Sequence, residues 1–185
     1  MNTFHIITLG CKINIYESEA ITAILKKHNY KEETDLEKAS IIIVNSCTVT
    51  SKADSKCRNI IRSAKRKNSN ALIVVTGCMV ESELNEILDM GIADIIIKNR
   101  DKDKIDQAID YFNTTKISPF IFKTSIDGSF NLKTESFSSH SRAFLKIQDG
   151  CNNRCSYCRI PFVRGESRSK PYNDIYNEIE EIIKN

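Results

Sequence analysis

The chain has 185 residues, of which 41% are hydrophobic and 28% charged, and its formal net charge is +3. This composition is typical of a globular protein with one full domain and part of a second, and the longest apolar runs, such as 41–44, are too short to span a membrane. A net charge of +3 is too small to indicate nucleic-acid binding by itself. The first residues lack the basic and long apolar regions of a secretory signal, so we expect a cytoplasmic protein with reduced thiols.

Short β-branched runs alternate with amphipathic stretches in the first part of the chain, which predicts an α/β fold with a parallel sheet. The predicted strands are residues 4–9, 41–45, 71–76 and 94–97. Helical periodicity predicts helices around residues 13–24, over 56–67, over 80–90 with Gly91 as the stop, and over 101–112. The apolar character of the strands indicates a sheet that is covered on both faces.

The periodicity is lost from about residue 113 to residue 142, which predicts a boundary between two units. We therefore expect an N-terminal α/β domain over 1–112, a connector over 113–142 with a short extended piece at 120–123, and a second, incomplete unit over 143–185. In that unit the pattern predicts a strand over 143–148 and a last helix that Pro171 opens.

A basic segment with no acidic residue lies within the second predicted helix, over residues 56–67. At about 100° per residue, Arg58, Arg62, Lys65 and Arg66 share one side of that helix, and Cys57 shares the other side with apolar residues. The basic side fits either a solvated helix face or a phosphate-contacting stripe. Cys57 fits a core position.

Cys151, Cys155 and Cys158 form a C-x3-C-x2-C triplet. A [4Fe–4S] cluster takes four ligands, usually thiolates, so three cysteines leave one iron open to a small molecule or to a cysteine from elsewhere. Seven cysteines, two short spacings and a reducing compartment favour metal ligation over disulfides.

Three further cysteines each follow a predicted strand directly, at Cys11, Cys47 and Cys78. Ligands of open parallel sheets bind outside the carboxyl ends of the strands, so these side chains are expected to converge. They fit a second ligand site better than three buried apolar thiols. Zinc is the competing metal, but structural zinc sites usually show two ligand pairs, and His5, His28 and His140 are isolated.

These motifs resemble those of the radical S-adenosylmethionine methylthiotransferases over the whole chain. The matching segments are TLGCKIN at 8–14, VNSCTVT at 44–50, TGC at 76–78, GCNNRCSYC at 150–158 and PFVRG at 161–165. The residues beside the first two cysteines are most similar to the branch that acts on N6-threonylcarbamoyladenosine at tRNA position 37. Sister branches act on isopentenyladenosine in tRNA and on an aspartate of a ribosomal protein.

The resemblance implies two [4Fe–4S] clusters and S-adenosylmethionine as cofactors. Cys151, Cys155 and Cys158 would hold the cluster that binds and cleaves S-adenosylmethionine, and the resulting radical would abstract hydrogen from C2 of the adenine. Cys11, Cys47 and Cys78 would hold the auxiliary cluster that carries the sulfur, and a second S-adenosylmethionine would supply the methyl group. The implied partners are tRNA and an electron donor such as flavodoxin or ferredoxin, without a membrane.

The family also has a fuller radical S-adenosylmethionine barrel and a C-terminal RNA-binding domain. Few residues follow Cys158, so we expect a fragment or a split protein that is less active alone. Two rival functions are a non-catalytic iron–sulfur electron carrier or scaffold and a zinc-dependent RNA-binding module. Arg164 and Arg168 fit either contacts to a phosphate or carboxylate or ordinary surface positions.

Overall fold

A computed structural model describes residues 2–48, 51–123, 132–134, 137 and 142–184 of the chain. The strands in these ranges are β1 (Thr3–Thr8), β2 (Lys31–Glu32), β3 (Ile41–Ser46), β4 (Leu72–Gly77), β5 (Ile95–Ile97), β6 (Phe120–Phe122), β7 (Gln148–Asp149) and β8 (Arg168–Ser169). The helices in the same ranges are α1 (Lys12–Lys27), α2 (Ser51–Lys67), α3 (Cys78–Ser82), α4 (Leu84–Asp89), α5 (Ile105–Thr115), α6 (Ile160–Arg164) and α7 (Tyr172–Lys184). Two 3-10 turns cover Leu36–Lys38 and Asn99–Lys104.

The first six strands form one parallel sheet in the order β2, β1, β3, β4, β5, β6 within the described part of the chain. The α/β fold with a parallel sheet, predicted from the sequence, is confirmed. All six residues of β3 are buried because helices cover both faces of the sheet.

Among the described residues, two of the three apolar clusters cover the sheet, one on each face, and a small third one surrounds Tyr16. Successive residues of a strand point to opposite faces, so Ile42 and Val44 belong to one cluster and Ile41 and Ile43 to the other. The first cluster is covered by α2, which contributes the buried residues Cys57, Ile61 and Ala64. The second is covered by α1 and α5. Each fully buried isoleucine contributes about 2 kcal/mol through the removal of apolar surface from water.

Two of the predicted helices differ from those observed. The helix predicted over 80–90 is two short helices, α3 and α4, because Glu83 between them leaves the helical conformation with φ −131° and ψ 36°. The helix predicted over 101–112 starts as a 3-10 turn and continues as α5 to Thr115. The strand β6 then joins the edge of the sheet within the segment expected to be a connector.

The strand predicted over 143–148 is wrong for residues 143–147. Only Gln148–Asp149 forms a strand, and it pairs antiparallel with Arg168–Ser169. A strand needs a partner along its length, and β8 is two residues long, although Lys170 adds one bond from its backbone N–H to the Ile147 carbonyl at 2.8 Å. The last helix begins at Tyr172, directly after Pro171 as predicted. None of the described helices combines the length and the apolar character needed to cross a membrane.

Candidate functional site

Three cysteines follow three neighbouring strands at the carboxyl edge of the sheet. Cys11 comes after β1, Cys47 directly follows β3, and Cys78 begins α3 directly after β4. The register places the ends of these strands side by side, because Asn45 pairs with Thr8 on one side and Thr76 on the other. We call Cys11, Cys47 and Cys78 the sheet-edge set; Cys11 is exposed, whereas Cys47 and Cys78 are buried.

Two glycines allow the backbone to pass closely at this edge. Gly10 has φ +99°, and a Cβ atom there would lie 2.5 Å from the Cys47 Sγ atom. Gly77 has φ +103°, and a Cβ atom there would lie 2.2 Å from the Ser46 carbonyl oxygen. Any larger residue would therefore clash and would also be strained in the left-handed region. The first glycine brings the Cys11 turn against Cys47, and the second brings Cys78 close to the end of β3.

Asn14 joins the first two cysteine turns from the first turn of α1. Its Nδ2 donates to the Ser46 carbonyl at 2.8 Å, directly before Cys47, and its Oδ1 lies 3.5 Å from the Cys11 thiol. The same Oδ1 accepts a hydrogen bond from Arg164 Nη2 at 3.1 Å. This fully buried amide therefore fixes the relative positions of the Cys11 and Cys47 turns and links them to α6.

The triplet Cys151, Cys155 and Cys158 lies on the loop between β7 and α6. Its backbone is held by hydrogen bonds from the Cys151 N–H to the Gly165 carbonyl at 3.1 Å and from the Cys158 N–H to the Cys155 carbonyl at 3.0 Å. Gly150, with φ +73°, lies so close to the Glu166 carbonyl that a Cβ atom there would be 2.1 Å from its oxygen. Cys151 also lines a cavity of about 250 Å³ with Asn152, Arg154, Pro161, Gly165 and Glu166.

The segments that carry the two cysteine sets contact each other, because α6 packs against α3. Arg159, which follows Cys158, donates from Nη1 to both the carbonyl and the hydroxyl oxygen of Thr48, each at 3.0 Å. Thr48 in turn follows Cys47. The Asn99 Nδ2 atom donates to the Val163 carbonyl in α6 at 2.8 Å and lies 3.9 Å from the Cys78 Sγ atom. The residues next to one cysteine set thus contact those next to the other.

A cluster of buried charged side chains lies beside the sheet-edge set. Arg164 Nη1 contacts Glu17 Oε1 at 2.7 Å and Asp149 Oδ1 at 3.1 Å. Lys146 Nζ contacts the same two carboxylates at 2.7 and 2.9 Å, and Lys102 pairs with Glu17. We call Glu17, Lys102, Lys146, Asp149 and Arg164 the ion network. It ties α1 and the turn before α5 to the segment that carries the triplet.

Burial and charge act in opposite directions on the titratable groups of this region. Burial alone would raise the pKa of Glu17, but Lys102, Lys146 and Arg164 hold it well below its ordinary value. Burial raises the pKa of the Cys78 thiol, while the positive charges of Arg164 and Lys102 act to lower it. The carboxylate of Glu17 is therefore ionised at neutral pH, and the two cations favour negative charge on Cys78.

The side chains of both sets suit iron–sulfur ligation. All seven cysteines are free thiols, and thiolates are the usual ligands of iron–sulfur clusters. Among the residues that the structure describes, no three His, Cys, Asp or Glu side chains are grouped so as to hold a metal ion. Each thiolate of a cubane binds a different iron atom, so a cluster does not require its ligands to meet at one point. The donor types and the nearby buried cations fit an anionic cluster.

The remaining candidates have ordinary contacts. Cys57 is buried in the core as predicted, and its thiol donates to the Cys47 carbonyl at 3.2 Å. His5 Nδ1 lies 2.8 Å from the Glu33 carbonyl, and His28 lies 3.3 Å from an Asp106 oxygen. His140 lies outside the described residues. On the basic helix, Arg58 pairs with Glu86 at 2.6 Å.

Several residues of this region are not evident from the sequence alone. Arg164 and Arg168 do contact a carboxylate, that of Asp149, but Arg164 is buried rather than at the surface. Glu17 offers a signal, since a charged residue occurs on the otherwise apolar side of the α1 pattern. Lys102 and Arg159 offer none, because their partners are far away in sequence.

Comparison with known proteins places the chain among related sequences. The model of the uncharacterized protein family UPF0004 matches residues 3–98, just over half of the chain. The threonylcarbamoyladenosine tRNA methylthiotransferase MtaB of Bacillus subtilis (strain 168) is 34% identical over 189 residues, which cover 97% of this chain and 40% of that protein. The tRNA-2-methylthio-N(6)-dimethylallyladenosine synthase of Clostridium botulinum (strain Alaska E43 / Type E3) is 33% identical over 197 residues, with coverages of 98% and 41%. The chain thus spans about 40% of the length of these relatives.

A solved structure shares the fold. The radical S-adenosylmethionine methyltransferase TsrM from Kitasatospora setae superposes with a TM-score of 0.56 at 14% identity, covering 96% of this chain and 44% of that protein. The predicted resemblance to the methylthiotransferases, and to the threonylcarbamoyladenosine branch among them, is confirmed by the relatives. The chain therefore belongs to the UPF0004 family and is related along its length to the N-terminal part of the radical S-adenosylmethionine methylthiotransferases.

Proposed function

We propose that this chain is the cluster-binding part of a radical S-adenosylmethionine methylthiotransferase that modifies tRNA. The proposed reaction adds a methylthio group to C2 of N6-threonylcarbamoyladenosine at tRNA position 37, in the cytoplasm, with electrons from a flavodoxin or ferredoxin. The proposed domains are an α/β domain over 1–112, a connector over 113–142 and the start of a radical S-adenosylmethionine domain over 143–185.

The contact between the segments that carry the two cysteine sets is the observation that supports this proposal. Radical formation and sulfur insertion act on one carbon atom of the substrate, so the groups that perform them have to lie near each other. The contact of Arg159 with Thr48 supports such an arrangement, because each residue directly follows a cysteine of a different set. An electron carrier needs only one cluster, and a zinc-binding module needs no second three-cysteine set.

The proposed roles divide between the sets. Cys151, Cys155 and Cys158 hold one [4Fe–4S] cluster and S-adenosylmethionine, and the cavity beside Cys151 lies where a small molecule can approach them. Cys11, Cys47 and Cys78 hold the auxiliary [4Fe–4S] cluster. With three protein ligands, a cluster at the triplet would supply one electron for reductive cleavage, and a cluster at the sheet edge would leave one iron position open for sulfur. Asn14 and Arg159 keep the cysteine turns in place.

Anaerobic reconstitution with iron and sulfide tests the two sites directly. We expect roughly eight iron atoms per chain for the wild type and roughly four for each triple Cys→Ala variant, one in the triplet and one in the sheet-edge set. Cys57→Ala is the matched control and retains both clusters. Zinc in place of iron, or a complete loss of iron from either triple variant, contradicts the two-site proposal.

Nucleoside mass spectrometry of tRNA from a strain that lacks the gene tests the substrate. We expect loss of the methylthio group from threonylcarbamoyladenosine, while methylthiolated isopentenyladenosine is unchanged. The opposite pattern would assign the chain to the isopentenyladenosine branch. No change in either nucleoside would direct attention to the ribosomal protein or to a non-catalytic role.

A further inference from the structure

The ion network joins the two halves of the candidate site through groups that are almost completely buried. Glu17 and Lys102 belong to the α/β domain, whereas Lys146, Asp149 and Arg164 belong to the segment that carries the triplet. The side chains of Glu17, Lys102 and Arg164 are each 1% exposed. Breaking a pair at this depth leaves an uncompensated charge, which makes the network a rigid connection.

Arg164 carries the firmest positive charge of the network. Its guanidinium keeps its proton at neutral pH, whereas burial lowers the pKa of Lys102. Arg164 pairs with the carboxylates of Glu17 and Asp149 and belongs to α6, which packs against α3, the helix that begins at Cys78. A charge in a buried region acts more strongly on a neighbouring charge than it would in water.

Arg164 occupies the central place in this arrangement. One of its guanidinium nitrogens contacts Glu17 and Asp149, and the other donates to Asn14 at 3.1 Å. Asn14 in turn contacts the Cys11 thiol and the carbonyl that precedes Cys47. The planar guanidinium is thus linked through Asn14 to the turns of two sheet-edge cysteines.

We propose that Arg164 is a positioning residue for the sheet-edge set, and that the positive charge of its guanidinium stabilises an anionic cluster held by Cys11, Cys47 and Cys78. This inference rests on the proposed function, because it requires the auxiliary cluster. It assigns a residue near the triplet, in the other half of the chain, to the cluster at the sheet edge. The ion network then sets the electrostatic environment of that cluster as well as the fold around it.

The reduction potential of the sheet-edge cluster tests the charge role. We would use the Cys151/Cys155/Cys158→Ala background, in which only that cluster remains, and follow its reduction by electron paramagnetic resonance. Arg164→Gln removes a cation and is expected to shift the potential to lower values, because the more negative reduced cluster loses stabilisation. Glu17→Gln removes an anion and is expected to shift it to higher values.

The opposite signs separate this role from a structural one, because both variants break the same ion pair. Asp149→Asn is a second anion-removing variant, in case Glu17→Gln does not fold, and it should also raise the potential. Arg164→Lys keeps the charge and should restore at least part of the shift. The exposed Arg62→Gln is the matched control and should have no effect.

Each result decides the question. Loss of iron in Arg164→Gln that Arg164→Lys restores also supports the proposal. Equal shifts for cation and anion removal, or shifts no larger than that of Arg62→Gln, would overturn it while leaving the auxiliary cluster intact. A background variant that binds no iron would refute the auxiliary cluster itself, and with it this inference.

Discussion

The sheet-edge set and the triplet each contain three thiols, but the positions of these thiols depend on different parts of the fold. The sheet-edge cysteines come from three strands, and their positions depend on sheet register, two glycines and Asn14. The triplet comes from one stretch of eight residues, 151–158, with Cys155 exposed and a strand pair of only two residues beside it. The arrangement of the sheet-edge cysteines should therefore persist until the domain unfolds as a whole. The arrangement of the triplet should already change when its loop is altered locally. Four substitutions probe this difference.

Gly77→Ala should have the largest effect on stability. The new Cβ atom would meet the Ser46 carbonyl at 2.2 Å, with the backbone in a left-handed conformation, so we expect a loss of about 4 kcal/mol in the free energy of unfolding. Urea unfolding followed by circular dichroism measures it. Gly91→Ala is the control: it has a positive φ but no neighbour within 4 Å, and it should cost about 1 kcal/mol. Equal losses in the free energy of unfolding for Gly77→Ala and Gly91→Ala would show that β3 and β4 can separate easily and relieve the clash.

Glu17→Gln should destabilise the chain by about 3 kcal/mol at pH 7, because it leaves buried cations without their carboxylate. The pKa of Glu17 is lowered in the folded state, so its contribution is complete above its ordinary pKa of 4.5 and is lost as the pH falls through the folded value. The difference in the free energy of unfolding between Glu17→Gln and the wild type should therefore become smaller as the pH is lowered. Urea unfolding at several pH values, with the exposed Glu180→Gln as control, checks this; a difference that does not vary with pH would contradict it.

Tyr16→Phe should cost about 2 kcal/mol. The buried Tyr16 hydroxyl lies 2.7 Å from the Leu132 carbonyl and 2.6 Å from a Glu178 oxygen, and Lys170 donates to it at 3.0 Å. Its removal leaves these groups with fewer partners between α1 and α7. Thermal unfolding measures the loss, and Tyr111→Phe, on a ring that is 44% exposed, should change stability by less than about 0.5 kcal/mol. If Tyr16→Phe and Tyr111→Phe lowered stability by similar amounts, the hydrogen bonds of the Tyr16 hydroxyl would have no special role in stability.

Gly150→Ala should have the smallest effect on overall stability, less than about 1 kcal/mol, although its Cβ atom would lie 2.1 Å from the Glu166 carbonyl oxygen. Glu166 lies between α6 and β8, so its carbonyl can turn away from the new Cβ atom while Asp149 stays in the ion network. In a Cys11/Cys47/Cys78→Ala background, the same change should lower the iron retained by the triplet. A loss of stability as large as that of Gly77→Ala would mean that the triplet loop is part of the cooperative core.

The elements predicted best were those whose signal lies within a few neighbouring residues. The buried run of β3 and the helical periodicity of α1 and α7 identified these elements directly. β2 was missed because its two residues, Lys31 and Glu32, are charged and depend on pairing with β1. The strand predicted over 143–147 failed because alternating apolar residues do not provide a partner strand.

The candidate site shows the same division. The cysteines could be grouped from the sequence because strand ends in a parallel sheet share one edge. The ion network could not, since Lys102 and Glu17 are 85 positions apart and Arg164 and Glu17 are 147 positions apart. Contacts of this kind form when segments far apart in the sequence pack together, and no pattern within a few neighbouring residues predicts them.

The packing of α6 against α3 has a consequence for the order of assembly. Cys78 is only 4% exposed, and α6 is made of residues that leave the ribosome after the whole parallel sheet. During synthesis, the carboxyl edge of the sheet is therefore open before α6 reaches it. Under the proposed function, iron and sulfide would reach Cys78 more readily before α6 packs against α3 than afterwards. The order of synthesis would then favour loading of the sheet edge while the later residues of the chain are still being made.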